Sequence, residues 1–299
     1  MKKVVITGCN GLLGQTLINV LLKSPEIYEV FGLSKGDNRS EIKDFSYHNI
    51  DITEFNELEK CLKKIKPDAI INSAAMTNVD VCEDQQELCL KVNVKAVEFL
   101  VKLSFELKIH LIHISTDFIF DGFKGFYKET DQPNPLNFYG ESKLKSEQIL
   151  SKSSIEYSIL RTILVYGKVN NLGRNNIVLW VKEMLENNKE ITIVDDQFRM
   201  PTYVVDLATA CIMCMDKKLY GIFNISSKQL LSIFEIAQQV ADVFGLKKEL
   251  IKPISSKILN QKALRPSKTG FDLSKTIRDL EFYPNSFLKD LKRFKKTLT

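Results

Sequence analysis

Histidine is scarce in this chain, with three in 299 residues, at 48, 110 and 113. Six cysteines, at 9, 61, 82, 89, 211 and 214, follow no framework spacing. The Cys211-x-x-Cys214 pair has no second cysteine pair or histidine cluster to complete a tetrahedral metal site. It sits in the apolar run 208–215 and reads as two core-facing helix residues. Unpatterned thiols fit a reduced protein of the cytoplasm. Long apolar runs are missing, so no membrane span is expected. The run after Met1-Lys2-Lys3 is only Val4-Val5-Ile6, too short for a secretory signal core. A basic face interleaved with aromatics is also lacking. The net charge of 42 − 37 = +5 is concentrated in residues 289–296, which reads as the solvated face of a terminal helix. No nucleic-acid partner is expected.

What is present is ordinary for a globular enzyme-sized protein: 44% hydrophobic and 26% charged residues, enough for a large core. Strand-like and helix-like segments alternate from the start. Strands are expected at 3–7, 28–34, 69–72, 110–115 and 157–165, and helices at 12–23, 56–64, 86–107 and 140–151. That rhythm predicts an α/β fold, a Rossmann-type doubly wound parallel sheet covered on both faces. Beyond 167 the rhythm loosens into helices at 176–187, 205–215 and 233–244, strands at 191–194 and 221–225, and an irregular stretch at 254–278. Residues 1–166 therefore read as a dinucleotide-binding domain. Residues 167–299 read mainly as a smaller α/β substrate-binding lobe, partly interleaved with the first.

Thr7-Gly8-Cys9-Asn10-Gly11-Leu12-Leu13-Gly14 follows the first strand and opens the first helix. Glycine is needed where a backbone turns tightly, approaches a pyrophosphate and packs a helix against a strand. The free N–H groups of the helix end then hold the phosphates, so Gly8, Asn10, Gly11, Leu12 and Gly14 are expected at the cofactor. At the end of the second strand, an NAD site usually carries an acid for the ribose hydroxyl. This chain has Ser34-Lys35, followed by Arg39, which suit a 2′-phosphate. NADP(H) is the expected cofactor, and Asp37 in the Gly36-Asp37-Asn38 turn is the rival that would suit NAD(H). Ala74 and Ala75, after the fourth strand, are small enough for a cofactor to lie close.

Tyr139-Gly140-Glu141-Ser142-Lys143 places two side chains four apart on one helix face. An ammonium beside a phenol is expected to lower the tyrosine pKa toward working pH. Thr116, in His113-Ile114-Ser115-Thr116-Asp117, would bind the substrate oxygen that Tyr139 protonates. The catalytic candidates are thus Thr116, Tyr139 and Lys143, the last also reaching the nicotinamide ribose. Arg265 before Pro266 is either a diphosphate clamp or a surface arginine ahead of a turn. Arg161, inside a strand, reads as a structural ion-pair former, and Asp80 and Glu83 as caps or surface charges.

The G-x-x-G-x-x-G spacing resembles the extended short-chain dehydrogenase/reductase family, which implies that Asp51-Ile52 contacts adenine. The segments Asn72-Ser73-Ala74-Ala75-Met76-Thr77-Asn78-Val79-Asp80, Val92-Asn93, Ser115–Gly122, Pro135–Gly140, Asp196–Thr202 and Leu264-Arg265-Pro266 are similar to the dTDP-4-dehydrorhamnose reductase family. The resemblance covers nearly the whole chain. It implies NADPH-dependent reduction of a 4-keto group on a nucleotide-linked 6-deoxysugar, with Thr116, Tyr139 and Lys143 as the triad. It also implies cofactor contacts at Thr77 and Asn93, and substrate contacts at Thr77, Asp117 and Arg265. Phe118 stands where related dehydratases carry an acid, which argues against water loss. Leu164 replaces the family's usual tryptophan, and Arg199 its usual glycine. These departures resemble a non-catalytic branch of the fold, the regulatory β subunit of methionine adenosyltransferase, which is the alternative reading. Family members sometimes bind Mg²⁺, yet no ligand spacing here assigns it and no metal site is expected. A homodimer is compatible with the family.

Overall fold

The structure, a computed structural model, describes residues 1–171, 173, 175–259 and 261–298. Its centre is a seven-stranded sheet of β1 (Lys2–Thr7), β2 (Tyr28–Ser34), β3 (Ser46–Asn49), β4 (Ala69–Asn72), β5 (His110–Thr116), β6 (Tyr157–Thr162) and β7 (Gly221–Ile225). The order is β7-β6-β5-β4-β1-β2-β3, and every pairing is parallel. Central strands are buried on both faces, which is why they read as β-branched apolar runs rather than alternating ones. Val4 and Ile6 point into one core, and Val5 into the other.

The first core packs α1 (Leu12–Leu21) and, from far along the chain, a helix at Val204–Lys217 against the sheet. Cys211 and Cys214 are buried there, on that helix. On the opposite face lie α2 (Phe55–Ile65) and the 86–107 helix. That helix is not uniform. It runs as α3 (Gln86–Leu90), a π-helical turn at Lys91–Lys95, and α4 (Ala96–Leu107). Periodicity alone could not foresee the turn, since one extra residue scarcely disturbs a helical pattern.

The second half of the chain contributes both β7 and the helix at Val204–Lys217 to the main sheet. The remainder builds a separate core around Tyr166 from the helices at Ile177–Glu186, Ile233–Phe244 and Phe287–Lys295. The terminal helix buries Phe287, Leu291 and Phe294 beneath its basic face. Inside the stretch read as irregular, Thr269–Phe271 forms a strand paired with Gly125–Tyr127. Segments of three residues carry no readable period.

Candidate active site

At the C-terminal ends of β1, β2 and β4 lies a cleft of about 370 Å³. Its walls include Gly8, Asn10, Gly11, Ser34, Lys35 and Arg39. Asp51, Ile52, Ala74 and Ala75 also line it as expected, and Ile50, Ser73, Val92 and Gly173 join them. Gly8 has φ +66°, and a Cβ there would lie 2.8 Å from the Ala74 backbone. The turn and the β4 end thus approach as only glycine allows. Gly11 caps α1 without a side-chain bond, and the first turn holds no acid. The helix N–H groups are left for an anion, so these residues fit a dinucleotide.

The 36–39 loop is ordered by Asn10. Its Nδ2 donates to the Asp37 carbonyl at 2.8 Å, and its Oδ1 accepts from the Arg39 N–H at 2.9 Å. The Tyr47 hydroxyl reaches the carbonyls of Ser34 and Gly36. Lys35 is largely exposed and pairs with Asp51 at 3.4 Å. Burial pushes the Asp51 carboxyl up, but the Thr53 N–H and hydroxyl and the Lys35 ammonium outweigh it and hold the group below its usual range.

Six residues expected at the cofactor lie off the cleft wall, Tyr139 and Lys143 of the catalytic set among them. Leu12 opens α1 and packs against the second-half core. Gly14 is buried where α1 meets the turn, and Thr77 is exposed. Asn93 sits in the π-helical turn, buried. Its Oδ1 accepts from Met76 N–H at 2.8 Å, while its Nδ2 lies 3.0 Å from both Met76 O and Ser142 Oγ. It therefore ties the loop after β4 to the helix that carries Tyr139.

That helix is α5 (Phe138–Ser151). Asn137 caps it, accepting from Gly140 N–H at 2.8 Å, and Glu83 accepts from Phe138 N–H at 2.8 Å. A Cβ on Gly140 would stand 2.2 Å from the Phe118 carbonyl oxygen. Glycine thus lets α5 press on the end of β5 and brings Tyr139 to Thr116. The ring of Tyr139 meets Phe118 edge-on at 6.0 Å. Burial raises the Tyr139 hydroxyl well above its ordinary pKa, and the bond to Thr116 lowers it only in part. The expected depression by Lys143 is thus not what the protein on its own displays. The physical reason is placement. Lys143, itself buried, lies with Nζ 3.0 Å from His113 Nε2. Burial lowers its pKa to about 8, with Glu147 and Cys89 pulling the other way.

Asp117 and Arg265, the substrate candidates, are both engaged internally. Asp117 is buried, accepts from the Thr269 hydroxyl and lies 3.7 Å from Arg199 Nε. Burial raises its carboxyl despite the Arg199 charge and the hydroxyl bonds. Arg199 also donates to the carbonyls of Phe198 and Pro266, at 2.7 Å each. It fastens the 266–269 segment to the end of β5. Arg265 pairs with Asp80 at 2.7 Å. Arg161 forms a buried two-pronged ion pair with Glu147, 2.7 Å at the closest, linking β6 to α5. Sequence reasoning passed over Asn72 and His113. Polar side chains within buried core strands were the available signal.

The family described as RmlD substrate binding domain matches residues 1–299. The chain belongs to this family. A curated dTDP-4-dehydrorhamnose reductase from Aggregatibacter actinomycetemcomitans is 31% identical over 307 residues, covering 99% of each chain. The methionine adenosyltransferase 2 subunit beta of Xenopus laevis is 29% identical over 279 residues, 92% of this chain and 81% of that one. The crystal structure of dTDP-4-dehydrorhamnose reductase from Bacillus anthracis, in complex with NADP, superposes with a TM-score of 0.88. Its identity is 30%, over 99% of this chain and all of that one. The RmlD scaffold places the chain among the NAD(P)-dependent oxidoreductases. Among the described residues, no group of three or more metal-ligating side chains is assembled, and no helix is long and apolar enough to cross a membrane.

Proposed function

We propose that this protein reduces the 4-keto group of a nucleotide-linked 6-deoxysugar, with NADPH as cofactor. The observation that carries the reading is the hydrogen bond between Tyr139 and Thr116, with Lys143 one turn along the same helix, on the sheet edge that also carries the glycine-walled cleft. NADPH, when bound, supplies the hydride. Gly8, Gly11 and the α1 N-terminus hold its pyrophosphate, and Asp51 and Ile52 its adenine. Ser34, Lys35 and Arg39 take the 2′-phosphate, and Ala74 and Ala75 let the chain run close. Thr116 orients the substrate carbonyl, Tyr139 transfers its hydroxyl proton to that oxygen, and Lys143 as ammonium stabilises the phenolate left behind.

The sugar nucleotide lies on the side of the lobe formed mainly by residues 167–299, near Thr77 and Asp117. Arg265 serves a diphosphate by exchanging Asp80 for it. Six unpaired thiols support a reducing, cytoplasmic setting. The test is loss of NADPH absorbance on mixing with a dTDP-4-keto-6-deoxymannose-type sugar. Turnover in wild type that vanishes in Tyr139→Phe supports the reading, and equal turnover in the variant overturns the mechanism. A second reading, an NADP-binding regulatory subunit, is supported by the similarity to methionine adenosyltransferase 2 subunit beta. Tight NADPH binding without oxidation by any nucleotide ketosugar would favour it.

A further inference from the structure

Behind Lys143, in the middle of β5, lies the fully buried imidazole of His113. Three polar groups meet its two nitrogens. Asn72 Nδ2 is 3.1 Å from Nδ1, while Ser146 Oγ and Lys143 Nζ each lie 3.0 Å from Nε2. What else each partner holds decides the direction of these bonds. Asn72 Oδ1 already accepts from the Thr7 hydroxyl at 2.5 Å, so its amide hydrogens face the ring and Nδ1 must accept. The Ser146 hydroxyl donates to the Lys143 backbone carbonyl at 2.6 Å, so toward the ring its oxygen can only accept.

The single hydrogen of the neutral imidazole therefore sits on Nε2. An ammonium at Nζ would set N–H against N–H at 3.0 Å, whereas an amine lone pair accepts from that hydrogen. Burial acts in the same sense, holding the imidazole neutral and disfavouring the lysine charge. The other titratable groups offset this only in part. On α5, Glu147 draws the lysine pKa up but is itself committed to Arg161 of β6. From α3, Cys89, held down to about 7 by hydrogen bonds from Cys82, Ser142 and Asn93, also favours the ammonium, though burial outweighs both. Tyr139 and the Arg199-paired Asp117 lie toward Thr116.

We propose that His113 is a positioning residue that biases Lys143 toward the neutral amine in the cofactor-free protein, so that NADP(H) binding under mildly alkaline conditions is coupled to proton uptake at Nζ. The proton passes from solvent to the Nζ lone pair, and no other bond is made or broken. An anionic dinucleotide rich in ribose and phosphate acceptors favours the ammonium, drawing Nζ off Nε2. The inference rests on the cofactor reading above. Because binding raises the lysine pKa, uptake is strong near pH 8 and fades toward about pH 6, where free Lys143 already carries its proton.

Calorimetric titration with NADPH near pH 8, in buffers of different protonation enthalpy, counts the protons taken up. Roughly half a proton or more is expected in wild type and none in Lys143→Met. In His113→Asn the side-chain oxygen still accepts from Asn72, but nothing reaches Nζ, so the uptake maximum moves to higher pH. An unchanged profile in His113→Asn, or uptake that survives Lys143→Met, overturns the proposal. So does buffer-independent binding by wild type. With only three histidines, the ¹⁵N spectrum of the cofactor-free protein gives an independent test. His113 is expected as the Nε2–H tautomer, and the Nδ1–H tautomer would sink the arrangement. Should NADPH fail to bind, the cofactor reading falls, while the ring spectrum still judges His113.

Discussion

Along one edge of the sheet, the cleft beside β1 is walled by glycine, alanine and exposed cations, while the corner at β5 keeps Thr116, Lys143 and His113 from water. The cleft depends on backbone. Gly8 lets the turn lie against Ala74, Gly11 leaves helix N–H groups unbonded, and Asn10 shapes the following loop by bonding to main chain. The corner depends on buried polar side chains whose protonation is decided by neighbours. A backbone site tolerates side-chain change at its rim but not added volume at its floor. A buried ionisable site responds to changes of one atom or one proton. The two regions should therefore fail differently.

The largest expected effect lies in the corner. Tyr139→Phe should lower turnover by about 10²–10⁴-fold, the usual contribution of a positioned acid. NADPH affinity by fluorescence titration should stay near wild type. A parallel loss of affinity would show that the two regions are not separable.

Next comes the cleft floor. Gly8→Ala puts a Cβ 2.8 Å from the Ala74 backbone at a positive φ. A destabilisation of about 1–3 kcal/mol is expected by denaturant titration, together with weakened NADPH binding. Wild-type stability and affinity in the Gly8→Ala variant would mean that the turn can relax away from β4.

A third comparison uses pH. Lys143 must be protonated to serve Tyr139, and its free-protein pKa is lowered to about 8. Accordingly, kcat/KM for NADPH, which reports the cofactor-free protein, should fall as pH rises through that value, by about tenfold per unit beyond it. Cofactor-cleft variants should keep the same limb. A profile flat to about pH 9.5 would remove Lys143 from this role.

The smallest effect is expected at the rim. Lys35 is 82% exposed, so Lys35→Ala should reduce the preference for NADPH over NADH by about fivefold or less. A protein that prefers NADH and is indifferent to the change would transfer the 2′ contact to Asp37 chemistry.

Much of this was legible in the chain because it depends on short-range spacing. Glycines at 8, 11 and 14 after a β-branched run, and a tyrosine four residues before a lysine, each define a local geometry that survives any tertiary context. Other features are made by partners far apart. Arg265 meets Asp80 across 185 residues, and Arg199 reaches the carbonyl of Pro266 across 67. No local pattern announces such pairs, so a phosphate clamp and an ion-pair partner look the same in sequence. The strand at Thr269–Phe271 exists through its pairing with Gly125–Tyr127 rather than through propensity.

By itself, the sequence determined the parallel α/β order, the glycine turn and the helix face that carries Tyr139 and Lys143, because hydrophobic period and residue spacing act within a few turns of chain. Only the tertiary structure decided which way Lys143 points. Its ammonium was expected beside the phenol, yet the folded protein rests Nζ on His113, whose second nitrogen is held by Asn72. That choice belongs to three segments that meet only when β4, β5 and α5 pack. Burial then makes each hydrogen bond among them count for more than it would in water.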